Sequence, residues 1–404
     1  MKAGWITAPL SQLCDIKHGF AFKSEFFTDS GDHVLLTPGN FHEIGGYRDR
    51  GDKQKYYSGE IPEGFVLSDG DLLVAMTEQA AGLLGSPILV PESGKFLHNQ
   101  RLGLVTKKAG AAWTNEFFFH VFNSPAVRKA IHDSATGVKV RHTSPTKIGE
   151  VVVAFPASLS EQRRIVGILD EAFEGLATAK ANAEQNLQNA RALFESHLQA
   201  VFTQRGDGWV DRQLASLCHE ITVGHVGSMK TEYKESGIPF LRSQNIRPFE
   251  VSMDNAMFID EAFHRALKKS QLRPGDLAIV RTGYPGTAAV IPPELPDSNC
   301  SDLVIVRPSK EVNPHFLAAF FNSAFGKQLV LGKIVGAAQK HFNITAAKEV
   351  MLHVPPMQEQ RAIIRMVDSL REETQRLESL YQRKLAALAE LKKSLLHRAF
   401  SGQL

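Results

Sequence analysis

Two short stretches of the chain hold side chains suited to gripping phosphates and base edges. Lys139-Val140-Arg141-His142-Thr143 follows Gly137, and Gln339-Lys340-His341-Phe342-Asn343 follows Gly336. Lys and Arg neutralise phosphates, and Arg can also offer two parallel N–H donors to guanine. Asn and Gln match adenine in the same way, and a Thr methyl meets the methyl of thymine. Arg48, Arg50, Lys53 and Lys55 beside Tyr56-Tyr57 form another basic and aromatic stretch, and Arg242-Ser243-Gln244-Asn245-Ile246-Arg247 a fourth. A basic cluster taken singly is more often a solvated face than a groove reader. The candidate nucleic-acid contacts on this reading are Lys139, Arg141, His142, Thr143, Arg48, Arg50, Lys53, Arg242, Gln244, Asn245, Gln339, Lys340, His341 and Asn343.

Catalytic constellations fail one by one. Lys95, Lys327 and Lys333 each follow a Gly, but none is followed by Ser or Thr, so the phosphate-cradling P-loop is missing. There is no Gly-x-Ser-x-Gly nucleophile turn. His42-Glu43 and His219-Glu220 begin like a zinc-protease helix, but neither has the second His one turn later. Pro292-Pro293 and Pro355-Pro356 lack the polar and aromatic neighbours with which an amino-methyltransferase holds a flipped base. The expectation is a binding protein with no metal, no cofactor and no catalytic residue of its own.

The 404 residues, 43% apolar and 22% charged, can form two or three well-packed domains. The net charge of +3 neither demands nor excludes nucleic acid, because phosphate contacts come from local clusters. Cys14, Cys218 and Cys300 are odd in number and far apart, which points to reduced thiols in a cytoplasmic protein. No apolar run approaches the length of a membrane span, and no membrane partner is expected.

The elements that must position the candidate loops are written twice. Trp5, Leu10, Leu13 and Cys14 recur as Trp209, Leu214, Leu217 and Cys218. Gly70-Asp71-Leu72 and Thr77 recur as Gly275-Asp276-Leu277 and Thr282, Phe122-Asn123-Ser124 as Phe321-Asn322-Ser323, and Glu161-Gln162-Arg163 as Glu359-Gln360-Arg361. Each half opens with short apolar runs bounded by turn residues, such as Leu72–Met76 and Leu277–Val280, which read as strands. Denser Phe and Ala from Trp113 to Ile131 and from Pro314 to Leu331 reads as helix, with Phe117-Phe118-Phe119 assigned to the core.

Each half then closes with a long amphipathic helix. Ser158 and Glu161 form a capping pattern at the start of the first. Leu169, Ala172, Leu176, Ala179, Ala183, Leu187, Ala190, Phe194, Leu198 and Val201 mark its apolar stripe, interrupted only by Gly167 and Gly175, which should loosen the first turns. Ile363, Val367, Leu370, Thr374, Leu377, Tyr381, Leu385, Leu388, Leu391 and Leu395 mark the second. About 40 residues at 1.5 Å each make a rod of roughly 60 Å. The Ala-rich stripe fits the Leu-rich one better than either fits itself, so the two are expected to pair.

The order basic loop, Pro, Glu-Gln-Arg, long helix runs through Gly137, Arg141-His142-Thr143, Phe155-Pro156 and Glu161-Gln162-Arg163-Arg164-Ile165. It returns in Gly336, Lys340-His341-Phe342, Val354-Pro355-Pro356 and Glu359-Gln360-Arg361-Ala362-Ile363. This pattern, over the whole chain, resembles the DNA-specificity subunit of type I restriction-modification systems.

The resemblance implies an α+β fold of two tandem mixed α/β target recognition domains, 1–158 and 206–356, followed by spacer helices 159–205 and 357–404. The helices would pair as an antiparallel coiled coil with internal pseudo-two-fold symmetry. Each domain would read one half of a split, asymmetric site in double-stranded DNA, and the helices would fix the gap between the halves. Two DNA-methyltransferase subunits and restriction/translocase subunits would be the partners. Phe342, standing where the first half has Thr143, would replace a hydrogen bond by stacking or shape. The other readings are a non-DNA-binding scaffold, and the recognition part of a split methyltransferase-nuclease.

Overall fold

The computed structural model describes residues 4–79, 82–204, 206–332 and 342–404. The chain divides into two compact units, one formed by residues 1–183 with 384–404, the other by 184–383. Both are built on one plan.

In the first unit, Trp5–Pro9 pairs antiparallel with Val152–Pro156. A four-stranded antiparallel sheet runs in the order Cys14–His18, Leu102–Lys107, Leu72–Ala75, Pro87–Leu89. A smaller sheet orders Phe27–Thr28, Tyr56–Tyr57, Val34–Leu35 and Phe96–Leu97, its last pair parallel. The second unit repeats all three parts. Val210–Gln213 pairs with Val354 back to Met351, and Cys218–Val223, Leu303–Pro308, Leu277–Val280 and Ala288–Val290 form the larger sheet. Met257–Ile259, Ile238–Leu241, Ser298–Cys300 and Gln271–Leu272 form the smaller one.

The central strands read as continuous apolar runs because both of their faces are covered. Leu72 and Val74 join the helix-side core of the first unit, and Leu73 and Ala75 join the opposite cluster. Leu277 and Ile279 divide from Ala278 and Val280 in the same way. Such a partition follows from the two-residue period of a strand.

The Phe-rich segments form two short helices in each unit: Asn115–Asn123 with Pro125–Ser134, and Pro314–Asn322 with Ala324–Gly332. The stretches read as helical from the sequence are each divided in two, at Ser124 and at Ser323. Each serine caps its second helix, accepting from Val127 N at 3.5 Å and from Gly326 N at 3.0 Å. The repeated Phe-Asn-Ser is thus a helix-to-helix joint. Phe117 and Phe118 lie fully in the core, as expected, and Phe119 is half-buried.

Leu159–Thr203 and Met357–Phe400 are each one continuous helix. Gly167 and Gly175 are exposed and do not interrupt the first. In the first unit, Ile165 and Leu169 share a core with Leu396 and Ala399, and Arg164 Nη2 donates to Leu404 O at 2.9 Å. In the second, Leu198 and Phe202 share a core with Ile363 and Val367, and Arg191 Nε donates to Glu378 Oε1 at 2.7 Å. Low numbers of one helix meet high numbers of the other in both units, so the pairing is antiparallel. Leu391 departs from the expected stripe. It is exposed, and Lys392 lies inward, its ammonium 4.7 Å from the centroid of the Phe173 ring. A helix of 3.6 residues per turn drifts away from a strict heptad, and here the buried face has moved on by one residue. Burial, with Lys180 nearby, holds the Lys392 ammonium below its usual range.

Candidate nucleic-acid interface

The scaffold beneath the candidate loops is held by side chains that the repeat carries twice. Gln162 and Gln360 are buried at the start of the long helices. Gln162 Oε1 accepts from Thr114 N at 3.0 Å, and its Nε2 donates to Ala112 O and Pro156 O, both at 2.8 Å. Gln360 Oε1 accepts from Asn313 N at 2.8 Å, and its Nε2 donates to Glu311 O at 3.2 Å and Pro355 O at 2.9 Å. The Gln of Glu-Gln-Arg is therefore a clasp joining the long helix to the loop that leads into the Phe-rich helices.

In the first unit, Arg141–His142 forms a short strand paired with Thr77–Glu78, which opens the hairpin between Leu72–Ala75 and Pro87–Leu89. Thr143 N donates to Met76 O at 3.0 Å. Glu78 is buried and holds the hairpin from inside: its Oε2 accepts from Gly82 N and Leu83 N at 3.0 Å and Leu84 N at 2.9 Å. Its Oε1 lies 3.7 Å from His132 Nε2. Arg141 packs on the same His132, donating to its backbone carbonyl at 2.6 Å. Arg128 donates to Gly82 O, and burial draws its guanidinium down to about 10, leaving it charged at neutral pH. Basic loop and hairpin are thus one body.

Lys139 and His142 are exposed on this body, with Val138 between Gly137 and Lys139 at 99% exposure. His142 Nδ1 is 3.3 Å from Thr77 Oγ1. Arg141 is half-buried against His132, and Thr143 points inward. Arg48, Arg50 and Lys53 belong to a different turn. Asn40 and Gln54 organise it: Asn40 Nδ2 donates to Gln54 Oε1 at 2.9 Å, and Arg48 N donates to Asn40 O at 2.7 Å. Arg48 and Lys53 are exposed, whereas Arg50 is half-buried with its guanidinium over Gly39.

The matching turn of the second unit holds Arg242, Gln244 and Asn245. Asn245 is fully buried: its Oδ1 accepts from Arg242 N at 3.0 Å, and its Nδ2 donates to Ser252 O at 3.0 Å and Asp254 O at 3.1 Å. Every polar function of that amide serves the turn, so Asn245 is not available to a base, contrary to the sequence reading. Gln244 is exposed and Arg242 half-buried, its Nη2 donating to Asn255 O at 3.0 Å.

Gln339, Lys340 and His341 lie outside the described residues. Phe342 is fully buried and packs near Phe321, so it stacks on core and not on a base. Asn343 caps the helix Ile344–Lys348, its Oδ1 accepting from Ala346 N at 2.8 Å. Ser144 does the same for Pro145–Gly149, which makes Thr143-Ser144 and Phe342-Asn343 equivalent buried-residue-plus-cap pairs.

Sequence reasoning passed over the hairpins themselves. Thr77 and Thr282 matched, but the tips that follow them were not assigned a role. In the second unit the tip is Gly283-Tyr284-Pro285-Gly286, with Tyr284 at 85% exposure. An aromatic between a Gly and a Pro-Gly turn is the signal that could have found it.

Among the described residues no group of His, Cys, Asp and Glu is arranged to hold a metal. Cys14 and Cys218 are free thiols pushed up to about 12 by burial, which makes them packing residues and not nucleophiles. The same mixed α/β unit is thus built twice on shared clasps, each copy completed by paired helices and presenting its own loops. That defines a duplicated α/β scaffold with two sets of loops.

Residues 207–384 match the family of the type I restriction modification DNA specificity domain, and the chain over its whole length is similar to specificity subunits of type I restriction enzymes. It is 24% identical over 426 residues to the EcoBI specificity subunit of Escherichia coli, covering 99% of this chain and 86% of that protein. It is 23% identical to the EcoKI specificity subunit of Escherichia coli strain K12, covering 100% and 90%. Two solved structures share the fold across the full chain. One comes from work on complex assembly and conformational transition of the type I R-M system (TM-score 0.79, 17% identity, 99% of that chain covered). The other is the HsdS subunit from Thermoanaerobacter tengcongensis (TM-score 0.63, 18% identity, 98% covered).

Proposed function

We propose that this chain is the sequence-reading, non-catalytic subunit of a type I restriction-modification complex. It would bind a bipartite, asymmetric site in double-stranded DNA and position separate adenine-methyltransferase subunits, two per chain, together with restriction/translocase subunits, in the cytoplasm. The observation that carries this reading is the repetition of one clasped scaffold beneath loops of different chemistry: identical anchors keep the fold, and unlike loops address two unlike half-sites. Residues 1–158 and 206–356 are the proposed target recognition domains, and 159–205 and 357–404 the proposed spacer helices. Lys139, Arg141, His142, Arg48, Arg50 and Lys53 are proposed contacts of the first half. Arg242, Gln244, Gln339, Lys340, His341 and Asn343 are proposed contacts of the second. No helix of the described residues is long and apolar enough to cross a membrane.

The test is DNA binding by the full chain, assembled with its modification subunits, across a salt series. Log K is expected to fall linearly with log salt, with a slope of about −0.9 for each phosphate neutralised. The complex should also methylate adenine within one split motif that disappears from the genome when the chain is deleted. Binding without salt dependence, or an unchanged methylation pattern after deletion, would refute the assignment.

A further inference from the structure

The second unit carries an exposed edge outside the candidate loops. Its first component is the hairpin tip between Leu277–Val280 and Ala288–Val290. The tip is tightly braced. Val280 N donates to Thr287 O at 2.8 Å, Gly286 N to Val280 O at 3.1 Å, and Thr287 N to Tyr284 O at 3.2 Å. Gly283 and Gly286 take positive φ of 85° and 89°, a conformation that disfavours any side chain. Thr282 Oγ1 is bonded to the Asp302 carboxylate, which also lies 3.7 Å from Arg281 Nη1. Arg281 Nε in turn donates to Phe342 O at 3.3 Å. From this rigid frame the Tyr284 ring projects into solvent.

The second component meets the first at residues 300–302. His225 N donates to Cys300 O at 2.7 Å and His225 bridges to Ser301, next to the Asp302 that anchors the hairpin. Val226, at 72% exposure, follows His225. His225 and Val226 line an open cleft of about 450 Å³ whose opposite wall is Ala266–Ser270, with Lys268 and Lys269 exposed. One edge of the unit therefore offers a preorganised aromatic, a His and two ammonium groups. The nearby Asp302 carboxylate is paired with Arg281 and hydrogen-bonded to Thr282, which leaves Lys268 and Lys269 as the exposed cations of the cleft wall.

We infer that Tyr284 is a specificity-determining residue of the second half-site, its ring packed against bases while Lys268 and Lys269 hold the flanking phosphates. This rests on the DNA-reading function proposed above. In a duplex groove an aromatic ring packs on base edges such as the thymine methyl or wedges at a base step, and a hydroxyl at its rim adds a hydrogen bond that distinguishes among base pairs. A rigid tip delivers that ring without the ordering cost that a flexible loop would incur. The ammonium groups supply attraction that is independent of sequence and sensitive to salt.

The experiment uses the full chain assembled with its modification subunits and a pool of random-sequence duplex DNA, from which bound molecules are sequenced. Tyr284→Ala should relax the selected motif in one half only and weaken binding to the wild-type motif by roughly tenfold. Tyr284→Phe should keep the tenfold while losing preference at one position. Lys268→Ala with Lys269→Ala should leave the motif intact and reduce the salt slope by about two. Because Tyr284 is exposed, all variants should melt with the wild type. If wild type selects a motif and Tyr284→Ala selects the same motif with the same affinity, the inference fails and the proposed function stands. If wild type selects no motif, the function itself fails and the inference with it.

Discussion

At the scale of single residues, the repeated motifs turn out to be joints. Gln162 and Gln360 each satisfy one backbone N–H and two carbonyls at a helix start, with almost the same geometry. Gln162→Ala or Gln360→Ala would strand those groups in the interior and should cost about 2–3 kcal/mol each, read as a shift of the urea midpoint. The Asp of Gly-Asp-Leu is likewise a turn lock: Asp71 accepts from Ser68 N at 2.8 Å and Asp276 from Arg273 N at 3.0 Å. His98 adds a pH dependence. Burial pulls its imidazole down to about 4, so it is neutral in the folded protein, its Nε2 3.0 Å from Leu102 O. In the unfolded chain it takes up a proton near pH 6.5. Below that pH the unfolded state binds more protons, so this contribution is whole above pH 6.5 and is lost as pH falls towards 4, up to about 3 kcal/mol. His98→Gln should flatten the decline of unfolding free energy between pH 7 and pH 5; an identical decline would remove His98 from the account.

At the scale of elements, strand runs and helical stripes were legible because their periods are local. Leu72–Ala75 and Leu277–Val280 could be assigned from four consecutive apolar residues each, and both long helices from one stripe each. The breaks at Ser124 and Ser323 were passed over, because apolar residues resume beyond each polar Asn-Ser pair and the caps become decisive only once the chain turns. Phe202 packs on Phe316 and Phe320, with ring centroids 5.3 and 5.5 Å away. Phe202→Ala should therefore cost about 3–5 kcal/mol. Arg191→Ala, which removes only the exposed pair with Glu378, should cost less than about 1 kcal/mol. Urea unfolding of the two variants distinguishes a helix pair held by its apolar seam from one held by charge.

At the scale of the whole molecule, duplication means that each unit has its own core and its own loops. A change confined to one set of loops should alter one half of the recognised sequence. Lys340→Ala is expected to change or weaken the second half-site and leave the first intact, with methylated-motif mapping as the readout. A deletion of residues 339–343 is a poor probe of the same idea. It would remove the fully buried Phe342 and the helix cap Asn343, so its effect would report on folding.

Composition and spacing alone determined the twofold repeat, the mixed α/β halves, the pair of long helices and the absence of recognisable catalytic motifs. These are properties of order along the chain, and a repeated order survives even when most residues differ. Which polar side chains remain free to meet a ligand was decided only by tertiary structure. Asn245 and Gln244 are neighbours in sequence, yet one amide is spent on the backbone of its own turn and the other is exposed. Glu78 stands one residue after Thr77 and Tyr284 two residues after the matching Thr282, yet one is buried as an anchor and the other projects from a braced tip. Availability depends on which backbone donors and acceptors the folded chain leaves within reach, and those partners come from segments distant in sequence.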